Sequence, residues 1–258
     1  MNTESRSEAN TFRAQNGEDL WLDAFFGGRS HGFFVDVGAY DGVNLSNSYH
    51  FEQLGWTGVL VEPDPRKADL CRASRPRSLV FQCAAVGSPE MNEITFFQVE
   101  AGEVYSTTKL TDSHAARISG MGLQPTALTV PARTLDSMLE EAGASSVDFV
   151  SIDVEGAEME VLRGFDIARW KPAVVVVESN TKVRPADIKS YFVSHGYAYR
   201  DSIDVNDFYV RRTGSSIPAA VTDAIYYARH RVKRRFARIA HNLRRAWKKW
   251  RGEKALSQ

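Results

Sequence analysis

Two acid-rich stretches carry the residue types best suited to chemistry. They are Asp36-Val37-Gly38-Ala39-Tyr40-Asp41-Gly42 and Asp153-Val154-Glu155-Gly156-Ala157-Glu158. Gly38 and Gly42 allow a tight turn and close backbone approach. Their G-x-x-x-G spacing, however, is neither the G-x-G-x-x-G of a dinucleotide site nor a G-K-[ST] phosphate loop. Asp36 and Asp41 would repel phosphate and attract an ammonium or sulfonium. Glu62 follows Gly38 by 24 residues, where a carboxylate can accept both hydroxyls of a ribose. A nucleoside with hydroxyls, no phosphate and a cationic amino-acid end matches S-adenosylmethionine. The structural alternative for the acids is that they favour the positive N-terminus of a following helix; it weighs most for Glu158.

The elements that must position these groups can be read from periodicity. Short β-branched or aromatic runs at 33–37, 57–61, 79–86, 147–152 and 173–177 read as buried strands. Helices are expected at 44–54, 64–73, 135–142, 157–162 and 185–195, several closed by Gly or opened by Asp-Pro. Residues 93–99 alternate like a half-exposed strand of a hairpin extension, and 128–130 resumes regular structure. Between them, 101–127 has no clean period and reads as a functional insertion or lid. Segments 197–200 and 208–211 form a closing antiparallel pair, with Asn206-Asp207 in the turn. The fold class is therefore α/β: a doubly wound, Rossmann-like sheet with an antiparallel edge. Ligands of such sheets bind beyond the carboxyl ends of the strands. There the chain places Asp36, Glu62, Cys83-Ala84-Ala85, Asp153 with Glu155, and Glu178. That lining suits a ligand rich in hydroxyls or carrying positive charge. His50 and His195 fall in helices and read as structural; His114, in the insertion, is an alternative base.

Several motifs together resemble the FkbM family of S-adenosylmethionine-dependent methyltransferases. They are Gln15-Asn16-Gly17-Glu18-Asp19, the run from Val35 to Gly42, Ser46-Asn47-Ser48, Gly55-Trp56-Thr57-Gly58 with Val61-Glu62-Pro63, Arg133-Thr134-Leu135-Asp136, and the run from Ile152 to Glu158. The likeness covers roughly residues 12 to 212. It implies a class I methyltransferase fold, S-adenosylmethionine as donor, and O-methylation of a sugar or polyketide hydroxyl. Carried onto this chain, Asp36, Gly38 and Asp41 would border the methionine end, Glu62 would hold the ribose, and Ala84-Ala85 would pass the adenine. Gln15, Ala39, Gly42, Asn47, Pro63 and Asp153 complete the expected cofactor set. Ser151 stands where many relatives carry Lys, so any role of that Lys is absent or moved. A sugar hydroxyl is a poor nucleophile at neutral pH and needs a positioned base. Asp153 is expected nearest the transferred methyl, Glu155 as base or ligand of the acceptor hydroxyl, and Glu158 beside them as the third catalytic acid. Such a trio permits a divalent metal without demanding one, and no metal is assigned. Methylation of a secondary metabolite and a non-catalytic scaffold are the alternatives to carbohydrate methylation.

The 258 residues have globular composition, 43% hydrophobic and 25% charged. No apolar run reaches membrane-spanning length, and the polar start shows no secretory h-region. Cys71 and Cys83 read as reduced core thiols of a cytoplasmic protein. The net charge of +0 hides an asymmetry. Residues 223–258 hold twelve Lys/Arg against Asp223 and Glu253, a net of +10, so the preceding 222 residues carry −10. The expected organisation is a methyltransferase domain at 1–212, a linker at 213–222 and a basic helix at 223–258. Ile225, Val232, Phe236, Ile239, Leu243, Trp247 and Trp250 make a helical apolar stripe among the cations. Residues 223–251 thus suit an anionic membrane surface, which would place the protein peripherally on the cytoplasmic face beside a carbohydrate or glycolipid acceptor. Packing on the acidic body or on a second copy in a homodimer is the structural alternative, and RNA binding is a third reading that only the charge supports. No nucleic-acid partner is expected, because the aromatic residues form no stacking platform.

Overall fold

The computed structural model describes residues 11–179 and 186–213. The expected basic helix at 223–258, and all but the first residue of the expected linker at 213–222, lie outside the described residues. In chain order come α1 (Glu18–Phe26), β1 (Phe33–Val37), α2 (Tyr49–Leu54), β2 (Thr57–Val61), α3 (Pro65–Ser74), β3 (Ser78–Phe81), β4 (Ala84–Ala85) and β5 (Glu93–Val99). They are followed by α4 (Asp112–Gly120), β6 (Pro125–Arg133), α5 (Leu135–Glu141), β7 (Phe149–Ile152), α6 (Glu158–Arg163), α7 (Ile167–Trp170), β8 (Val174–Glu178), α8 (Ala186–Ser194), β9 (Tyr197–Ile203) and β10 (Asn206–Arg211).

Seven strands form the main sheet in the order β3-β2-β1-β7-β8-β10-β9. The first five are parallel, whereas β10 runs antiparallel to both β8 and β9. A two-residue connection explains the last pairing, since parallel neighbours need a crossover. Alternate residues serve opposite faces. Val35, Val37, Val59, Val61, Val150 and Ile152 pack with Leu135, Met138 and Leu139 of α5 and Val161 and Leu162 of α6. The other face is aromatic: Phe34 and Phe149 stack 5.8 Å apart, and Phe51, Trp56 and Phe26 close over Phe149. Phe34, Phe51, Trp56 and Phe149 are fully buried and contribute roughly 1.5–3 kcal/mol each, so the strand tips stand on a stiff base. Asp36 shares the aromatic face, which is why its carboxylate needs polar partners there.

Four segments depart from the sequence reading. The helix expected from residue 44 begins at Tyr49, because Leu45 takes a left-handed φ of 64° and Ser46 and Ser48 turn toward Asp36. The strand expected over 79–86 divides: β3 stays in the main sheet, while β4 pairs with β6 in a second sheet, β4-β6-β5. Asn206 and Asp207 lie in β10 opposite Glu178 and Val177, and the turn is at Asp204-Val205. The insertion contains a 3₁₀ turn at Glu103–Tyr105 and α4, whose N-terminus is capped by Thr111. Only Ile118 of α4 is buried, so no apolar period marked that helix. His195 sits just past the end of α8 and is exposed. Both cysteines are free and buried; burial pushes the Cys71 thiol up to about 12 and the Cys83 thiol up to about 11, leaving them unreactive.

Candidate active site

A cavity of about 370 Å³ opens at the carboxyl ends of β1, β2, β7 and β8. Gln15, Asp36, Gly38, Ala39, Asn47 and Glu62 line it, as do Pro63, Ala84, Ala85, Asp153 and Glu155. Three expected members do not. Asp41 is turned into its own loop, where Oδ1 accepts from the amides of Val43 (2.9 Å) and Asn44 (2.7 Å). Gly42 lies against α3 and not on the wall. Glu158 is buried off the wall and accepts from the Gly156 amide at 2.8 Å. Its carboxylate thus serves the start of α6, which is the structural alternative weighed above. His114 does not reach the cavity either.

The β1 turn is built by close approach. Gly38 has φ 82°, and a Cβ there would fall 1.8 Å from the Asp153 carbonyl oxygen. Only glycine lets the β1 and β7 tips come this near. Behind the turn, Asp36 accepts from Ser48 Oγ (2.5 Å) and Ser46 Oγ (3.2 Å). Arg75, fully buried, donates to Glu52 (2.9 Å), the Gly42 carbonyl (2.8 Å) and Ser48 Oγ (3.0 Å). Burial raises the Asp36 pKa, and the Ser48 hydrogen bond and Arg75 partly offset it. Asn47 Nδ2 donates to Ser151 Oγ at 3.0 Å, tying this loop to β7.

Glu62 forms the second corner. Its oxygens accept from the amides of Tyr40 (2.9 Å) and Asp64 (2.8 Å), and burial lifts its pKa to about 8. Each oxygen keeps a second lone pair, which two ribose hydroxyls can fill. Ala84 and Ala85 give a small-residue wall beside it, and the donor set fits an adenosyl ligand. Strands lie about 4.8 Å apart, so the β2 tip stands roughly two spacings from the β7 tip. That separates a ribose end from a reacting end.

The reacting end is crowded with acid. Asp153 faces the cavity with open surface although protein packs closely behind it. Glu178 ends β8 on the adjacent strand and is buried. Glu155, at φ 53°, folds its carboxylate back toward both. One ligand atom from each of the three lies within 4.8 Å of the others. Burial first, then Asp153, Glu155 and Glu158, pushes Glu178 up to about 11; burial also raises Asp153. The insertion touches this end, where Thr107 Oγ1 donates to the Glu155 carbonyl at 3.1 Å. Tyr105 and Arg117 of the insertion also line the cavity, the guanidinium 4.6 Å from the ring centre.

Sequence reasoning noted Glu178 as a strand-tip acid but left it out of the site, and it missed Glu18 and Asn206. Asn206 Nδ2 donates to Glu18 Oε1 at 3.0 Å across 188 residues. Both line the cavity, and no local spacing could reveal a pair so distant.

The sheet order and the acid-tipped cavity beyond its carboxyl ends fit the class I methyltransferase fold. The chain belongs to the methyltransferase FkbM domain family, whose model matches residues 36–199. The domain is therefore a methyltransferase with S-adenosylmethionine as donor. The 2-O-methyltransferase NoeI of Sinorhizobium fredii is 28% identical over 141 residues, spanning 50% of this chain and 56% of that protein. The match thus covers little more than half of this curated relative. Among solved structures, a TehB-like SAM-dependent methyltransferase from Corynebacterium glutamicum is 11% identical, with TM-score 0.41 over 77% of this chain and 89% of its own. A precorrin-6y C5,15-methyltransferase from Geobacter metallireducens is 13% identical, with TM-score 0.41 over 78% and 89%.

Proposed function

We propose that the protein O-methylates a hydroxyl of a sugar or glycan. The observation that carries this reading is the acid cluster of Asp153, Glu155 and Glu178 at the reacting end. Carboxylates that crowded can accept from several hydroxyls of one acceptor, which a polyol offers. The name of NoeI, a 2-O-methyltransferase, supports oxygen as the atom methylated. When bound, S-adenosylmethionine supplies an electrophilic methyl group on a sulfonium centre.

The residues of the chain do the rest. Glu62 accepts the ribose hydroxyls, and Gly38 lets the β1 turn lie against the reacting end. Asp36 keeps the loop from residue 44 to 48 closed behind that turn. Asp153 faces the transferred methyl, and Glu155 accepts the acceptor hydroxyl and takes its proton. The task is mainly orientation, since holding reacting atoms about 3–3.5 Å apart accounts for much of such rate gains. Residues 223–251 would bring the enzyme to an anionic membrane carrying lipid-linked acceptors.

Incubation with labelled S-adenosylmethionine and a pool of glycans, followed by mass spectrometry, should show one glycan gaining a single CH₂ unit. Glu155→Gln should lower turnover at least about a hundredfold while S-adenosylhomocysteine still binds. Label appearing in a polyketide hydroxyl and in no glycan would refute the carbohydrate reading. Full activity of Glu155→Gln would remove its catalytic role.

A further inference from the structure

From the tips of β7 and β8 we infer that Asp153, Glu155 and Glu178 form a binding site for one divalent cation, of the Mg²⁺, Mn²⁺ or Ca²⁺ class. The first support is geometric. Parallel pairing of Ile152 with Val177 sets Asp153 beside Glu178 on neighbouring strands. Like charges so placed repel. Glu155 is then brought to the same spot by two consecutive left-handed residues, Glu155 at φ 53° and Gly156 at φ 104°. Thr107 holds that turn through the Glu155 carbonyl. The chain thus adopts a conformation that a non-glycine residue rarely takes, and a third carboxylate joins the two at the strand tips.

The ligand atoms lie within 4.8 Å of one another, a spread that one ion about 2.0–2.6 Å from each oxygen can bridge. An all-carboxylate set, with no thiolate or imidazole, selects hard cations.

A second observation comes from a single atom. Glu178 is 7% exposed and lines the cavity, and its Oε2 is buried without a hydrogen-bond partner among the described residues. Buried polar atoms are rarely left so, and a cation would satisfy this one. The charge of the wall points the same way. Glu18, Asp36, Glu62 and Asp64 face the cavity with the trio and Asp204, against Lys67 and Arg117. Eight acids thus face two cations on the wall, and a sulfonium ligand with one ammonium and one carboxylate adds a single net positive charge.

Under the hydroxyl-acceptor reading above, on which this step rests, the remaining coordination positions would take acceptor hydroxyls. The cation would then orient the hydroxyls and ease loss of their protons.

The test is a titration of the full-length chain with Mn²⁺, following the free ion by electron paramagnetic resonance with S-adenosylhomocysteine present. One equivalent should bind, with Mg²⁺ or Ca²⁺ displacing it. Glu155→Gln and Glu178→Gln should each weaken binding by tenfold or more. Calorimetry on the same samples reads S-adenosylhomocysteine affinity. A variant that binds it normally is folded, and Glu155→Gln, half-buried and at the cavity wall, covers the case in which Glu178→Gln does not fold. Absence of Mn²⁺ binding in the wild type, or equal binding by all three proteins, overturns the site. Failure of the methylation reading would look different, with Mn²⁺ bound and no methylated glycan formed.

Discussion

Glu62 shows what burial does to a single group. Below a pH of about 8 its carboxyl holds a proton in the ligand-free protein, because desolvation outweighs the amides of Asp64 and Tyr40. Asp64 raises it further and Lys67 lowers it. Ribose hydroxyls donate to the anion, so binding at lower pH must first expel that proton. Each pH unit below the pKa then costs about 1.4 kcal/mol. S-adenosylhomocysteine affinity should therefore rise up to about tenfold per unit from about pH 6 to about pH 8 and level off above. Calorimetry in buffers of different ionisation enthalpy should see a proton released over that range, and Glu62→Gln should abolish the slope. A pH-independent affinity in the wild type would show that Glu62 does not hold the ribose. The position of Glu62 was legible because its distance from Gly38 is set by one strand–helix–strand unit. The left-handed Glu155 and the orphaned Oε2 of Glu178 were not, since neither backbone twist nor an unmet hydrogen bond is written in residue type.

Whole elements were legible where burial left a continuous mark. Val174–Glu178 is buried along its full length, and its run of four valines announces a central strand. Pattern failed where polar contacts override propensity. Ser46, Asn47 and Ser48 sit where a helix was expected because Asp36, Ser151 and Arg75 claim their side chains. The split of 79–86 is likewise set by pairing, since β4 finds its partner at Ala132 and Arg133, some fifty residues on. Arg75 itself gave no signal, as an arginine after a helix ordinarily meets solvent. Here its guanidinium is sealed with Glu52 and supports three segments at once. Removing one partner of such a pair leaves an unmet buried charge and costs about 3–5 kcal/mol. Arg75→Met should lower the urea midpoint accordingly and weaken S-adenosylhomocysteine binding through the 42–48 loop. The double variant Arg75→Met with Glu52→Gln should recover part of the loss. Unchanged stability in the single variant would mean that the pair carries no net weight.

At the scale of the whole chain the governing fact is its division of charge, −10 over residues 1–222 and +10 over 223–258. Among the described residues no helix is long and apolar enough to cross a membrane. Each basic residue near an anionic leaflet is worth about 1 kcal/mol, and the attraction decays within a Debye length. The acidic part would be repelled by the same leaflet, so the charge division would orient the molecule as well as hold it. Trp247 and Trp250 would add an interfacial component that salt does not screen. The full chain should therefore sediment with phosphatidylglycerol vesicles, bind neutral phosphatidylcholine vesicles far less, and lose most but not all binding in high salt. A chain ending at Pro218 should lose vesicle binding and keep its S-adenosylhomocysteine affinity. If the basic segment instead packs on the acidic part or on a second copy, the two chains would bind vesicles alike. They would then differ in thermal stability or in sedimenting mass. Equal vesicle binding would therefore end the membrane proposal while leaving the methyltransferase assignment intact, because that assignment rests on the family match over residues 36–199.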